Sequence, residues 1–144
     1  MVYCDTSLLV AALSNEPMTQ PVQSWLTAQP AEALCVSHWV VTEFSSAVSL
    51  KKRRGDLDAA GKAQMLSNWH TLLRDHLVLL PVADQTFALA ARFCDRDDLR
   101  LRAGDALHLA IASLGGHRLA TLDTILAAAA LAVGVEVTQL EKGG

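Results

Sequence analysis

Five short apolar runs alternate along the chain with longer segments of helical periodicity, and this alternation limits its fold more than any other feature. Runs of this length match strands buried on both faces, which occur in parallel sheets covered by helices. The predicted strands are residues 2–4, 33–37, 77–82, 118–122 and 135–138. Strand followed by helix, repeated, predicts an α/β fold in which a parallel sheet is covered on both faces.

The segments between the strands predict seven helices in one domain that spans residues 1–144. The predicted helices are residues 8–13, 21–29, 38–53, 57–75, 84–94, 103–114 and 123–133. Thr6 and Ser7 can cap the first helix, Asp56 the fourth and Asp84 the fifth. Residues 141–144 are expected to form a frayed tail.

Composition excludes several classes of protein. Hydrophobic residues make up 51% of the chain and charged residues 19%, which is typical of a globular protein. No apolar run reaches the roughly 18 residues of a membrane-spanning helix, and no basic leader precedes the first apolar run, so we expect a cytoplasmic protein without membrane partners. The three cysteines, Cys4, Cys35 and Cys94, lack CxxC spacing and predict buried, reduced thiols.

Four acidic side chains interrupt the apolar pattern. Asp5 and Asp123 each follow a predicted strand, whereas Glu43 and Asp105 lie on or near the apolar face of a predicted helix. The carboxyl ends of parallel strands meet at one edge of the sheet, where open α/β sheets bind ligands. We therefore expect the four carboxylates to converge there.

Each acid also has an ordinary structural explanation. Asp5, Asp105 and Asp123 stand where N-caps or first-turn acids stabilise a helix, and Glu43 can reach solvent from the edge of its apolar stripe.

Carboxylates that converge repel one another, and a divalent cation such as Mg²⁺ removes that repulsion. Removing these four from the 15 acidic residues leaves 11, against 12 Lys and Arg. A neutral body around an acidic pocket indicates a metal centre.

The motifs around these acids are similar to those of the PIN domain family, and within it to the VapC-type ribonuclease toxins of VapBC toxin–antitoxin pairs. The resemblance covers nearly the full length and carries over Asp5 with Ser7, Glu43, Asp105 and Asp123. The four motifs occur in order as Val-Tyr-Cys-Asp-Thr-Ser at residues 2–7, Val-Thr-Glu-Phe at 41–44, Leu-Arg-Ala-Gly-Asp-Ala-Leu-His-Leu-Ala at 101–110 and Ala-Thr-Leu-Asp at 120–123. The family often has an aromatic residue where this chain has Leu126, which keeps the position apolar.

The resemblance implies a three-layer α/β/α sandwich with a mostly parallel five-stranded sheet. It also implies Mg²⁺- or Mn²⁺-dependent cleavage of RNA, a homodimer and a VapB-like antitoxin that blocks the site. In the mechanism that we expect, the four acids hold one or two Mg²⁺ ions and a metal-activated water attacks the phosphodiester. Ser7 and Thr121 would orient that water.

Basic residues near the acids are candidates for contacts with RNA phosphates. Arg102 lies three residues before Asp105, and a basic cluster at residues 51–54 ends the third predicted helix. That cluster is equally explained as a solvated helix end that suits the helix dipole. His108 could donate a hydrogen bond to Asp105 or could be a structural histidine.

Two other functions compete with a ribonuclease. A catalytically silent PIN-like module would bind RNA or protein without cleaving it. A phosphotransferase would use Asp5 as a nucleophile, but enzymes resembling haloacid dehalogenases place a second Asp where this chain has Ser7. The chain contains no G-x-S-x-G motif and no nucleotide-binding glycine motif, so we expect neither a serine hydrolase triad nor a nucleotide cofactor.

Overall fold

Strand β1 (Val2–Cys4) lies at the centre of a five-stranded sheet in the computed structural model, which describes residues 1–140. The other strands are β2 (Leu34–Ser37), β3 (Val78–Leu80), β4 (Arg118–Thr121) and β5 (Val137–Gln139). The strand order is β3-β2-β1-β4-β5, and every neighbouring pair is parallel. The predicted α/β fold is confirmed, and the sheet is entirely parallel.

Seven α-helices within residues 1–140 cover the sheet. They are α1 (Thr6–Leu13), α2 (Thr19–Ala28), α3 (His38–Arg53), α4 (Ala59–His76), α5 (Asp84–Asp95), α6 (Ala103–Gly115) and α7 (Thr124–Ala132). The first four helices pack on one another, and so do the last three. Since β1–β2–β3 advance in one direction and β4–β5 in the other, right-handed crossovers place the two groups on opposite faces.

The reversal of direction falls between β1 and β4, which are neighbours in the sheet. In register, Tyr3 lies opposite Leu119 and Cys4 opposite Ala120, and all four side chains are fully buried. Ligands of open α/β sheets bind outside the carboxyl ends of the strands at such a switch point. The fold therefore directs attention to the residues that follow Cys4 and Thr121.

Helix α1 begins two residues earlier than predicted. Its N-cap is Asp5, whose Oδ1 accepts a hydrogen bond of 3.1 Å from the backbone N–H of Leu8. The prediction that Thr6 and Ser7 cap the helix is therefore wrong. The carboxylate is the better acceptor for the unpaired N–H groups of a first turn.

Two further predicted caps are wrong for similar reasons. Asp58, not Asp56, caps α4, because its Oδ1 accepts a 2.7 Å hydrogen bond from the N–H of Gly61. Asp84 lies inside the first turn of α5 and does not cap it. An acid in that turn still interacts favourably with the helix dipole.

Smaller differences concern element bounds and one thiol. Helix α2 begins at Thr19 and not at Pro21, and a 3₁₀ helix, Asp97–Leu99, lies in the segment between the predicted helices 84–94 and 103–114. Cys4 and Cys35 are buried as predicted, but Cys94 is exposed, because α5 packs through its neighbour Phe93. The predicted frayed tail lies outside the described residues. No helix within residues 1–140 is long and apolar enough to cross a membrane.

Candidate metal and active site

Asp5 follows β1 directly and is the most buried of the four predicted acids, with 2% of its surface exposed. Three groups donate hydrogen bonds to its carboxylate: the hydroxyl of Ser7 at 2.7 Å, the N–H of Leu8, and the hydroxyl of Thr121. Burial raises the pKa of Asp5, and the nearby His108 and these donors oppose that rise. Ser7 and Thr121, which we expected to orient a water, both hold Asp5.

Asp123 caps α7, just beyond the carboxyl end of β4. Its Oδ1 accepts backbone hydrogen bonds from Ile125 at 2.9 Å and Leu126 at 3.1 Å. Thr121 links this acid to Asp5, because its hydroxyl oxygen also accepts the N–H of Asp123 at 2.9 Å. The N-cap explanations of Asp5 and Asp123 are thus both correct. Within the described residues Oδ2 of Asp123 accepts no hydrogen bond, whereas both oxygens of Asp5 accept at least one and leave it about one further lone-pair site.

The charges of the three other acids all affect the pKa of Asp105. It lies in the first turn of α6 and is half-buried. Burial and then the charge of Asp123 raise the pKa of Asp105, with smaller contributions of the same sign from Glu43 and Asp5 and an opposing one from His108. Carboxylates influence one another in this way only at short range in a partly buried site. Contacts place the same acids near one another: Thr121 joins Asp5 to Asp123, and Oε2 of Glu43 lies beside Gly104, the neighbour of Asp105.

Glu43 lies on α3 and is turned towards α1 and α6. Its Oε1 accepts hydrogen bonds from the Thr6 hydroxyl at 2.6 Å and from His108 Nε2 at 2.5 Å. Its Oε2 lies beside Gly104, where an added Cβ atom would come within 3.0 Å of it. Burial raises the pKa of Glu43, but the hydrogen bonds and charge of His108 and the Thr6 hydrogen bond outweigh burial, and the net shift is downward.

His108 is a site residue whose partners we did not predict. It is 2% exposed and contacts Glu43 and Tyr3. Of the two possibilities raised for His108, the hydrogen bond to Asp105 is not among its contacts within the described residues. Trp39 also borders the site, because its indole N–H donates a hydrogen bond of 3.3 Å to the carbonyl of Gly104. The sequence signals for His108 were its spacing of three residues from Asp105 and a polar side chain on an otherwise apolar helix face.

The basic residues differ in their distance from the acids. Arg102 is exposed at the N-cap of α6, within one turn of Asp105. The basic cluster, residues 51–54, lies eight to eleven residues beyond Glu43 on α3, which is about 12–16 Å along the helix axis. Lys51 in that cluster pairs with Glu16 at 3.7 Å. Arg102 is therefore the better placed candidate for a phosphate contact.

The four acids fit Mg²⁺ by their chemistry. They supply oxygen donors, repel one another, and form no ion pair with Lys or Arg in the described part of the chain. The space beside Gly104 leaves one oxygen of Glu43 uncovered. Within residues 1–140, no group of three or more His, Cys, Asp or Glu side chains is arranged to hold an ion as it stands. Mg²⁺ commonly binds through one or two carboxylates and several waters, so the metal centre stays a prediction.

A cavity of about 830 Å³ lies elsewhere, between α2 and the end of α4. It is lined by Leu34 and Val78, the first residues of β2 and β3, and so lies at the amino ends of the strands. Because the acids lie at the carboxyl ends, this cavity is not part of the acidic site.

Sequence comparison identifies the class of protein that this fold and site define. A profile of the PIN domain family matches residues 2–132. The chain therefore belongs to the PIN domain family, as its motifs predicted.

Particular relatives are VapC proteins. Ribonuclease VapC47 of Mycobacterium tuberculosis is 31% identical over 115 residues, which cover 78% of this chain and 75% of that protein. The structure of VapC20 from the same species, described as a toxin that cleaves the sarcin–ricin loop, superposes with a TM-score of 0.72 at 19% identity, covering 90% of this chain and 95% of that one. VapBC2 from Rickettsia felis, bound to a promoter DNA fragment, gives a TM-score of 0.70 at 15% identity and covers 98% and 100%. These superpositions confirm the fold.

Proposed function

We propose that the chain is a Mg²⁺-dependent endoribonuclease and the toxin of a VapBC-type toxin–antitoxin pair. The observation that carries the proposal is the meeting of the four acids at the switch point of the sheet: Thr121 joins Asp5 to Asp123, and Oε2 of Glu43 lies beside Gly104, the neighbour of Asp105. The relationship to Ribonuclease VapC47 supports RNA as the substrate. Mn²⁺ is expected to replace Mg²⁺, because both prefer oxygen ligands.

Asp5, Asp105, Asp123 and the free oxygen of Glu43 would hold the ion. When bound, it supplies Lewis acidity that activates a water and stabilises negative charge on the phosphate. Ser7 and Thr121 fix the orientation of the Asp5 carboxylate through their hydroxyl donors. Arg102, exposed at the N-cap of α6, would contact a phosphate of the RNA beside Asp105.

The test is cleavage of RNA by the purified chain with Mg²⁺, with EDTA, and by the Asp5→Asn variant. We expect cleavage only with the metal and a loss of at least 100-fold in the variant, whose amide can still accept the helix-capping hydrogen bond. Because water is the attacking group, the products should lack a 2′,3′-cyclic phosphate. Near-normal turnover by Asp5→Asn at matched Mg²⁺ would remove Asp5 from this role.

The alternative of a catalytically silent RNA- or protein-binding module predicts a different outcome. Such a chain would bind Mg²⁺ or RNA and cleave no cellular RNA under any metal condition. The phosphotransferase alternative requires a phosphoaspartate at Asp5, but the position that a second Asp would need holds Ser7, whose hydroxyl donates to Asp5. Recovery of that phosphoaspartate would revive the alternative.

We also propose a VapB-like antitoxin partner, a homodimer and a cytoplasmic location. A VapBC assembly is among the superposed structures, which supports the first of these. Large apolar side chains exposed on α5 and α6, Phe87 and Leu114, support the second. Light scattering at micromolar concentration should give the mass of a dimer, and a monomer alone would contradict it.

A further inference from the structure

A chain of buried side chains runs from the end of β2 to the acidic site. Ser37 Oγ lies 2.8 Å from the Tyr3 hydroxyl, which lies 2.7 Å from Nδ1 of His108, and Nε2 of His108 lies 2.5 Å from Glu43 Oε1. Ser37 and Tyr3 are fully buried. These hydrogen bonds link helices α3 and α6 to strands β1 and β2.

The direction of the hydrogen bonds in this chain follows from its two ends. The Glu43 carboxylate only accepts, so Nε2 of His108 carries a proton and donates it. In the neutral ring Nδ1 then accepts from the Tyr3 hydroxyl, which burial holds protonated by raising its pKa, and in the charged ring both nitrogens donate. Ser37 completes the chain by donating to the Tyr3 oxygen while accepting the N–H of Val40 at 3.4 Å. In both states of the ring, Nε2 carries a proton and donates it to Glu43 Oε1.

The two oxygens of Glu43 are consequently not equivalent. Oε1 accepts two hydrogen bonds, from His108 and Thr6, whereas Oε2 accepts none within the described residues. Oε2 lies beside Gly104, next to Asp105, in space that any Cβ at position 104 would crowd. A cation at the acidic site therefore meets only one oxygen of this carboxylate.

We propose that His108, held by Tyr3, is a positioning residue that occupies Oε1 of Glu43 and so makes Glu43 a single-oxygen ligand through Oε2. The inference rests on the proposed function, because the cation is the one that the four acids are proposed to bind. The inference explains why a polar residue stands at position 108, since the other buried residues of α6 are apolar.

Two measurements on the full chain test it, and the first needs no metal. Nitrogen-15 NMR of the His108 ring in metal-free protein should show a proton on Nε2, with a resonance that shifts in Glu43→Gln. The Nδ1–H tautomer in the neutral ring would overturn the proposal.

The second measurement is Mn²⁺ affinity, from the electron paramagnetic resonance signal of free Mn²⁺ in the absence of RNA. Loss of an outer hydrogen bond to a metal ligand typically costs 10–100-fold in affinity. His108→Leu should weaken binding at least about tenfold. His108→Gln, which keeps an N–H donor, should recover most of the affinity. His70→Leu, at an exposed position on α4, is the matched control and should bind as the parent does.

The outcomes separate this inference from the proposed function. If the parent chain cleaves RNA and a folded His108→Leu variant binds Mn²⁺ as tightly as the parent does, the inference is overturned and the proposed function stands. If His108→Leu does not fold, Tyr3→Phe decides. It should weaken Mn²⁺ binding several-fold while His108→Gln stays near the parent, and parent-like affinity in Tyr3→Phe overturns the inference. Parent chain that binds no Mn²⁺ overturns both.

Discussion

The hydroxyl of Thr121 donates a hydrogen bond to Oδ2 of Asp5, joining residues that lie 116 positions apart in the chain. The contact exists because β1 and β4 are neighbours whose carboxyl ends coincide. The same hydroxyl accepts the backbone N–H of Asp123. One side chain thus holds the relative positions of two proposed metal ligands.

Thr121→Val keeps the shape of the side chain and removes both hydrogen bonds. A buried polar group left without its partner costs about 1–3 kcal/mol, and we expect a loss of this size in the free energy of unfolding. Urea denaturation of the metal-free protein measures it. Thr138→Val on the edge strand β5, where the side chain is half-buried, is the control and should change stability by less than about 0.5 kcal/mol. Equal stability of the two variants would mean that Thr121 does not hold Asp5.

Asp105 should make the metal-free protein less stable as pH rises. Its pKa is raised in the folded state, so between the unfolded and folded pKa values the native chain binds more protons than the unfolded chain. Stability therefore falls as pH rises through that window, and the full penalty is present at neutral pH. Asp105→Asn removes the penalty and should raise the melting temperature by a few degrees at pH 7.

Thermal melts across pH test this prediction, and the gain from Asp105→Asn should shrink as the pH approaches about 3, below the ordinary pKa of Asp. Addition of Mg²⁺ at pH 7 should stabilise the parent chain more than the variant. The bound ion offsets both the burial of the Asp105 charge and its repulsion by Asp123, and the variant carries neither. Asp84→Asn, an exposed first-turn acid of α5, controls for loss of the favourable interaction with a helix dipole. A gain that does not vary with pH would contradict the assignment.

Much of this site could be predicted from local sequence patterns, because apolar runs indicate buried strands and the residues after them mark the strand ends. Asp5 and Asp123 follow apolar runs, and the carboxyl ends of parallel strands must share an edge whatever the order of the strands. The strand order was not predicted, since it depends on which apolar runs pair. That order makes β1 and β4 neighbours and allows Thr121 to reach Asp5.

The contacts of His108 show the limit of sequence reasoning more sharply. Its partners Glu43 and Tyr3 lie 65 and 105 positions away, and its helical pattern indicates burial without identifying them. Local competition explains the wrong caps too. Asp56 and Asp58 are both suitable N-cap residues, and the start of α4 depends on which carboxylate reaches a free N–H.

Gly104→Ala should separate helix stability from the geometry of the site. Alanine favours a helix over glycine by about 1 kcal/mol, but its Cβ would lie 3.0 Å from Glu43 Oε2 and 3.3 Å from Trp39. We expect a folded protein whose Mn²⁺ affinity and RNA cleavage each fall at least about tenfold, as other changes next to a metal ligand do.

Gly61→Ala in the first turn of α4 is the control, because its Cβ would meet Asp58 at a similar 3.2 Å, away from the acidic site. It should retain parent activity. Undiminished activity in Gly104→Ala would show that Glu43 can move without consequence for the site.

Arg102→Ala should change how RNA binding depends on salt. A side chain that neutralises one phosphate of single-stranded RNA contributes about 0.7 to the slope of log affinity against log salt concentration. Loss of Arg102 should flatten the slope by about that amount and weaken binding similarly for different RNA sequences. The measurement is fluorescence anisotropy with Ca²⁺ replacing Mg²⁺ to limit cleavage. Arg53→Ala, in the basic cluster about 15 Å from Glu43 along α3, is the comparison. A flattened slope in Arg53→Ala and an unchanged one in Arg102→Ala would move the path of the RNA to the far end of α3.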